Sequence, residues 1–324
     1  MHRKRKTKAR GPYRETIKTQ STMKNDVYKM VTDRIIEELG KGRIPWRRPW
    51  KGGIASAEDM AISYTSRRAY SLLNQWLLDE PGEYLTYKQI SELGGKVRKG
   101  AKSKWVVFFT QVPYKDKNKD GEEVVKSYPL LRYYNVFHIK DTEGIKSKVV
   151  PGERVALPQG DEAAENIIAE YIKFTGLKFQ NNKPSDRAFY QPGTDKVVVP
   201  MMSQYEHLDE YYSTTFHELV HSTMKKDRCD REVENDKSSF GNHEYSREEL
   251  VAETGSAMLC SALGLDTEKA FKNSIGYLQS WIRSFENDPK MIVWAAARAE
   301  KAARFILNPK AESEAKKIAE AVAA

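Results

Sequence analysis

The stretch Phe216-His217-Glu218-Leu219-Val220-His221 decides the architecture of the second half of this chain, because it contains the pattern His-Glu-x-x-His. If the stretch is helical, His217 and His221 lie on one face, one turn apart. Two neutral imidazoles in that geometry can bind one metal ion, with Glu218 beside it as a general base. The alternative is an amphipathic helix on which the three residues have no common role. The mostly apolar residues before the pattern favour a buried helix, and we therefore expect a metal site here.

Length and composition indicate about two domains of ordinary size, since 40% of the 324 residues are hydrophobic and can fill a core in each. No apolar run approaches the length that spans a bilayer, and the basic first residues lack the apolar stretch of a secretory signal. The two cysteines, Cys229 and Cys260, are typical of reduced thiols in a chain this long. We therefore expect a cytoplasmic protein without membrane contact.

The first 25 residues are strongly basic: they contain nine bases and one acid, which is eight of the nine net positive charges. This composition predicts a disordered basic arm over residues 1–25. Such an arm binds nucleic acid by neutralising phosphates and releasing counterions. A solvating tail without a partner and a nuclear-import signal would have the same composition, so all three interpretations stay open.

A second basic segment, residues 41–51, combines five bases and two tryptophans with no acid. Arginine and lysine can follow the phosphates of a single strand while its bases stack on Trp46 and Trp50. The alternative is that both tryptophans are anchors in the core or between domains, which is the commoner position of tryptophan.

Basic residues also lie beside aromatic ones at Tyr64–Tyr70 and just before a hydrophobic strand, over residues 96–104. Three clusters of this kind indicate contact with nucleic acid. The candidate DNA-binding residues are Trp46, Arg47, Arg48, Trp50, Arg67, Arg68, Asn74, Lys88, Lys96, Arg98, Lys99 and Lys102.

The periodicity of the first half predicts helices followed by a small antiparallel sheet. A helix capped by Asn25 or Asp26 extends to about Leu39, and a second helix covers residues 72–78. A capping box from Thr86 to Gln89 opens a third helix. The strands are predicted at residues 105–109, as a buried strand, and at 128–131 and 133–137, as a pair.

The second half reads as mostly helical, with one β-hairpin. A linker rich in glycine, proline and lysine is predicted over residues 140–160, followed by a helix to about Gly176. Strands at 189–191 and 196–199 form a hairpin just before the His-Glu-x-x-His helix, which is the zincin arrangement; its edge strand can accept a peptide through backbone hydrogen bonds. Residues 311–324 are rich in alanine, glutamate and lysine and are predicted to be a frayed helical tail.

A catalytic zinc ion needs a third protein ligand and keeps one position open. The next predicted helix, residues 246–263, offers Glu248, Glu249 and Glu253, of which the last two lie one turn apart. Ser246 stands three residues before Glu249, so Glu249 can instead reach back to the Ser246 backbone amide in a capping box. The residues alone leave the third ligand open.

Two blocks of the sequence resemble the ArdC-type antirestriction proteins of conjugative plasmids. Residues 26–139 resemble their N-terminal single-stranded DNA-binding domain, which TraC-like primases share. Residues 161–310 resemble their zincin-like metallopeptidase domain. The matching positions are Ile44-Pro45-Trp46, Asn74, Leu85–Gln89, Leu93–Gly95, Val97–Gly100 and Tyr134–Phe137 in the first block, and His217–His221, Phe240-Gly241, Tyr245, Glu248–Glu253, Tyr277-Leu278 and Trp281 in the second.

The resemblance implies a metal site of the gluzincin type, in which the first acid of a Glu-x-x-x-Asp/Glu pair binds the metal and the second orients a ligand histidine. By this resemblance His217, His221 and Glu249 bind Zn²⁺ or another divalent ion, Glu253 lies behind Glu249, and Glu218 activates water. One departure from the family pattern lies before Asn74, where Tyr70-Ser71-Leu72-Leu73 lacks the usual glycine.

The function implied by the resemblance is protection of incoming DNA from restriction during conjugative transfer, with single-stranded DNA as partner and a protein as peptidase substrate. Two alternatives stay open: a DNA-binding protein whose metal site is purely structural, and a metallopeptidase whose basic domain binds an acidic protein. The expected fold is α+β: N-terminal helices with a small antiparallel sheet, then a mostly helical, zincin-like domain with an edge β-hairpin.

Overall fold

The computed structural model describes residues 26–47, 60–117, 123–149, 160–231, 243–265 and 275–323. The predicted arm over residues 1–25 lies outside these ranges, as do Arg48 and Trp50. Helices and small sheets alternate along the chain, which confirms the α+β prediction. Among the described helices, none combines the length and the apolar content needed to cross a bilayer.

Helix α1 (Val27–Gly40) begins where the sequence predicts. The Asp26 carboxylate accepts hydrogen bonds from the backbone amides of Tyr28 and Lys29, so it satisfies donors that the first turn would leave unpaired. Three residues spaced at helical intervals form the buried stripe that attaches the helix to the core. They are Val31, Ile35 and Leu39.

Four strands form the main sheet in the order β1-β2-β5-β4: β1 (Ala61–Ser63), β2 (Gly82–Leu85), β4 (Lys104–Lys117) and β5 (Glu123–His138). Strands β1 and β2 are parallel, and the other pairs are antiparallel. The strand pair predicted over 128–137 is wrong, because β5 is one continuous strand whose ladder with β4 extends from Val136 to Glu123. At Pro129 strand β5 pairs with β4 alone, and proline is tolerated on such edge segments.

Two short helices, α2 (Leu72–Leu78) and α3 (Tyr87–Glu92), flank this sheet. Strands β3 (Lys96–Val97) and β6 (Thr142–Glu143) form a separate two-stranded sheet. Both helices confirm the sequence prediction, and the reciprocal hydrogen bonds of the capping box at the start of α3 are present. The linker begins later than predicted, because β6 pairs with β3. Residues 147 and 148 also hydrogen-bond to Glu83, and residues 150–159 lie outside the described ranges.

The second half starts with helix α4 and a three-stranded sheet of order β7-β9-β8, and continues as helices. Strands β8 and β9 form the predicted antiparallel hairpin, with β8 at the sheet edge, while β7 was not predicted. The elements are α4 (Asp161–Thr175), β7 (Lys178–Gln180), β8 (Phe189–Gln191), β9 (Lys196–Val198), α5 (Leu208–Ser222), α6 (His243–Ala262), α7 (Ile275–Asn287), α8 (Met291–Leu307) and α9 (Pro309–Ala323).

A single hydrophobic cluster extends through both halves of the chain. The Trp46 ring lies 5.9 Å from that of Trp76 in the first half and 6.1–6.4 Å from Phe285 and Trp281 in the second. The Thr32 hydroxyl donates a 2.7 Å hydrogen bond to the backbone carbonyl of Pro289 across the same boundary. The two halves therefore share one core. Both cysteines are free and buried, as expected.

Candidate metal centre

Helix α5 carries the His-Glu-x-x-His pattern and is held by its apolar side. Tyr212, Phe216 and Leu219 are buried there. The opposite side presents His217 and His221, whose Nε2 atoms lie 3.1 Å apart. The helical spacing therefore brings both imidazoles to one point, as the sequence predicts.

The third donor comes from helix α6, where the Glu249 carboxylate faces both imidazoles. Its Oε2 lies 3.4 Å from His217 Nε2, and its Oε1 lies 3.4 Å from His221 Nε2. Ligand atoms 2.0–2.1 Å from a tetrahedral zinc ion are separated by about 3.3–3.4 Å. The spacing of the three donors, which form the one such group found among the described residues, thus fits a small divalent cation.

The capping-box alternative for Glu249 is wrong. Helix α6 begins at His243, three residues before the predicted start, so Ser246 lies inside the first turn and is not the capping residue. The Glu249 side chain reaches the two histidines.

Glu218 lies beside the three donors and is 8% exposed. Burial raises the pKa of its carboxyl group, although His221 and His217 oppose the shift, and the Tyr190 backbone on β8 hydrogen-bonds to the carboxylate. A carboxyl group with a raised pKa that is held beside a cation site has the properties of a general base.

A buried ion pair supports His221 from behind. Glu248 Oε1 lies 3.6 Å from His221 Nδ1. Arg231 donates hydrogen bonds to both Glu248 oxygens: from Nη2 to Oε1 at 2.8 Å and from Nε to Oε2 at 3.3 Å. Arg231 also donates to the Thr223 hydroxyl at 2.6 Å and to the Val220 carbonyl at 2.9 Å. The arginine thereby ties Glu248 to the end of the histidine helix.

The acid that contacts a ligand histidine on its far side is therefore Glu248, which the sequence offered only as a candidate ligand. The corresponding role for Glu253 stays a prediction. Arg231 was missed altogether, because it lies in a turn ten positions after His221 and belongs to no motif.

The acids beside His221 also affect its protonation. Burial opposes a charge on His221, but Glu248 and Glu249 outweigh it and raise the pKa of His221 to about 10. Burial likewise opposes ionisation of Glu249, but His217 and His221 outweigh it and hold its pKa well below the usual range. The Glu249 carboxylate is therefore ionised at neutral pH and available to a cation.

Close packing of α5 on α6 fixes the distance between the histidines and Glu249. A Cβ atom added to Gly255 on α6 would lie 2.9 Å from Cγ2 of Val220, so glycine permits this approach. The Ser256 hydroxyl also donates a 2.7 Å hydrogen bond to the Ser213 carbonyl on α5.

The turn between β8 and β9 is fastened to the far end of α5. The Asp195 carboxylate accepts hydrogen bonds from Arg228 at 2.7 Å, Lys225 at 3.0 Å and the Tyr190 hydroxyl at 3.0 Å. These contacts hold the edge strand in place against the helix that carries Glu218.

Two of the residues predicted to bind DNA are buried. Trp46 is 2% exposed and packs among aromatic rings, so it offers no face to a base; of the two interpretations of this tryptophan, the core anchor is correct. The Asn74 amide is engaged in two hydrogen bonds with the backbone of Val107, which close the open edge of β4. Both positions are therefore structural.

The guanidinium of Arg67, another predicted DNA-binding residue, already forms an ion pair with the fully buried carboxylate of Glu83. The side chain of Arg47, like Arg48 and Trp50, lies outside the described part of the protein. The other predicted bases are exposed on the first half. They are Arg68, Lys88, Lys96, Arg98, Lys99 and Lys102.

Comparison with protein families finds two matches, one in each half of the chain. The N-terminal domain of the anti-restriction factor ArdC matches residues 25–137. The zincin-like metallopeptidase family matches residues 162–298.

Relatives and solved structures agree with these matches. A DNA primase TraC of Escherichia coli is 31% identical over 304 residues, which cover 88% of this chain but only 27% of the primase. The metal-free crystal structure of the antirestriction protein ArdC from plasmid R388 is 31% identical, with a TM-score of 0.63 over 90% of this chain and 98% of that one. Its Mn(II)-bound form gives a TM-score of 0.65 at 29% identity and similar coverage. This chain therefore belongs to the ArdC family of antirestriction proteins.

Proposed function

We propose that this protein is an antirestriction factor of a mobile element that binds single-stranded DNA and carries a working zinc metallopeptidase. The enzymatic part rests on one observation: side-chain nitrogen and oxygen atoms of His217, His221 and Glu249 lie 3.1–3.4 Å from one another, and buried Glu218 lies beside them. A structural metal site has no need of a further buried carboxyl group beside its ligands.

Two imidazole nitrogens and one carboxylate oxygen form the ligand set typical of catalytic zinc, which leaves one coordination position open. The Mn(II) in the R388 relative is consistent with a site in this family that accepts a divalent ion. When bound, such an ion supplies Lewis acidity that polarises a carbonyl group and makes water nucleophilic near neutral pH.

The residues of the chain supply the remaining parts of a peptidase. Glu218 accepts the proton of the attacking water and delivers it to the leaving amine, a role that its raised pKa suits. Strand β8 has β9 on one side only, so an extended peptide can pair with its open edge. Tyr190 on that strand hydrogen-bonds to Glu218, which sets the peptide next to the base.

Binding of DNA is supported by the ArdC match over residues 25–137 and by the exposed bases of the segment from Lys96 to Lys102. A single strand is the expected form, because the TraC primases and ArdC relatives act in settings where DNA is copied or protected from restriction. The same bases would also bind an acidic protein, so the strand specificity needs its own test.

The metal content of purified protein and the variant Glu218→Gln test the enzymatic part. We expect about one zinc per chain in both proteins, and loss of proteolysis in the variant by about 10²-fold or more. Glu218→Gln preserves shape and removes only the base, so unchanged proteolysis and unchanged protection of DNA would make the site structural.

Titration of a labelled oligothymidylate at increasing salt tests the DNA part. We expect tight binding at low salt that weakens steeply as salt rises, because each neutralised phosphate releases counterions. Equal binding of polyglutamate under the same conditions would favour the acidic-protein alternative.

A further inference from the structure

The antiparallel ladder of β4 and β5 forms a long two-stranded ribbon, and one face of it carries an uncovered aromatic and cationic cluster. Phe108 stands directly opposite Arg132, and Val106 stands opposite Tyr134. Because directly opposed residues share a face and side chains alternate along a strand, Phe108, Arg132 and Tyr134 project from the same side. These three residues are called the ribbon cluster below.

The aromatic rings of the ribbon cluster are exposed to an unusual degree. Phe108 is 47% exposed and Tyr134 is 43% exposed, and their ring centroids lie 5.6 Å apart with the planes tilted by 47°. Nearer the base of the ribbon the same face is fully buried, at Val106 and Val136. The sequence predicts a buried strand at 105–109, and the exposure of Phe108 contradicts that prediction. Adjacent large rings left in water mark a binding surface.

The charge on this surface selects the class of ligand. Residues 104–115 of β4 and 130–138 of β5 contain three bases and no acid, and Lys140 lies two residues beyond the end of β5. Lys104 and Lys140 are paired with Glu80 at the base of the sheet. Arg132, opposite Phe108, is the base that lies within the ribbon cluster itself. A polyanion with flat apolar groups fits this combination, whereas an apolar protein surface would not use the arginine.

We propose that the ribbon cluster is the surface on which this protein stacks the bases of single-stranded DNA, with Arg132 bound to the phosphates. The proposal rests on the single-strand binding proposed above and identifies the residues that perform it. Only unpaired bases can present their faces to side-chain rings, so the same surface discriminates against duplex DNA. The ribbon cluster takes the stacking role that the sequence predicts for Trp46, because the buried Trp46 ring cannot contact a base.

The test compares binding of a fluorescein-labelled 15-nucleotide oligothymidylate to the full-length protein and to Phe108→Ala, Tyr134→Ala and the double variant. Removing an aromatic partner of a base is expected to raise the Kd by about tenfold or more, and the double variant to bind weakest. Tyr134→Phe keeps the ring and is expected to bind like the parent. Phe174→Ala is the matched control, since this phenylalanine of α4 is 40% exposed and lies outside the ribbon.

The variant Arg132→Gln tests the phosphate contact separately from base stacking. It is expected to reduce the slope of log Kd against log salt by about 0.7, which is the contribution of one phosphate on a single strand. An unchanged slope removes Arg132 from the proposal.

A mapped crosslink keeps the test decisive if a variant folds poorly. The wild-type protein is irradiated with the same oligonucleotide carrying 5-iododeoxyuridine, and the modified peptide is identified by mass spectrometry. Crosslinks at Phe108 or Tyr134 support the proposal, and crosslinks confined to other segments overturn it. Normal binding by both alanine variants also overturns it while leaving single-strand binding intact. A parent protein that binds no single strand overturns the proposed function and this surface together.

Discussion

Arg231 is expected to control metal affinity without touching the metal, and the structure allows the size of the effect to be worked out. The variant Arg231→Met removes the guanidinium and keeps much of the side-chain volume. Glu248 is then left as a buried carboxylate without its main cationic partner. Breaking a buried ion pair from one side costs about 3–5 kcal/mol of folding free energy. The Thr223 hydroxyl adds little to this cost, because it also donates a 2.6 Å hydrogen bond to the Val220 carbonyl.

Metal affinity should fall as well, since Glu248 turns away from His221 Nδ1 once Arg231 no longer holds it. Loss of a partner that orients a ligand histidine typically costs 10–100-fold in affinity. The assays are urea unfolding of protein treated with chelator and competition for zinc against a fluorescent chelator. Arg247→Met is the control, because this arginine, next to Glu248 on α6, pairs with Asp288 and is partly exposed, so its loss should cost about 1 kcal/mol or less.

The double variant Arg231→Met/Glu248→Leu separates stability from metal binding. Replacing both charges by apolar side chains is often neutral for stability, so folding should recover most of the loss. Affinity for zinc should stay low, because His221 still lacks its carboxylate. Recovery of affinity together with stability would refute the reasoning, and so would a single Arg231→Met variant that binds zinc as tightly as the parent.

Two further substitutions probe other contacts. Gly255→Ala should weaken zinc binding several-fold, because the added methyl group forces Val220 away from α6. Gly276→Ala is the control and should leave zinc binding unchanged, since no atom lies within 4 Å of the added methyl group. Competition with a chelator measures the zinc affinity of both variants. Glu38→Gln should lower stability by about 1 kcal/mol at pH 7, since Lys41, Arg34 and Arg43 outweigh the opposing effect of burial and lower the pKa of Glu38. That contribution is complete above the ordinary pKa of about 4.3 and disappears as the pH falls through the lower folded-state pKa, so urea midpoints of parent and variant should converge in acid.

The metal-site residues were predictable because their chemistry requires a local spacing. His217 and His221 are neighbours on any helix, and a capping signal such as Thr86 with Gln89 is likewise complete within four residues. Glu249 was reached only through the family resemblance, since Ser246 offered an equally good local partner. Local spacing therefore identifies a motif but does not choose among ligands on a distant helix.

The residues that sequence reasoning missed act across long separations. The role of Arg231 becomes visible only in the structure, where the segment after α5 lies against Glu248 on α6. No sequence pattern in either segment predicts this contact. Glu248 differs from Glu249 only by one position on a helix, and this rotation of 100° separates the candidate metal ligand from the buried carboxylate that contacts His221 from the other side. The packing of α6 on α5, through the contact of Gly255 with Val220 and the hydrogen bond from Ser256 to Ser213, sets which of the two faces the histidines, and no pattern within α6 reports it.

The burial of Trp46 has a consequence for where DNA can bind. A basic segment with tryptophans has the composition of a single-strand groove, yet the Trp46 ring contacts Trp76 in one half and Trp281 and Phe285 in the other. A ring in that position stabilises the junction of the two halves and is lost to ligands. Stacking on DNA must then use rings that the core does not need, and on the described part of the first half the paired, exposed rings of Phe108 and Tyr134 meet that condition next to a base. Because the junction itself is apolar and continuous, the half that we propose to bind DNA and the half that we propose to bind a metal are held in a fixed relation. A peptidase in this protein would then act on proteins close to the bound strand.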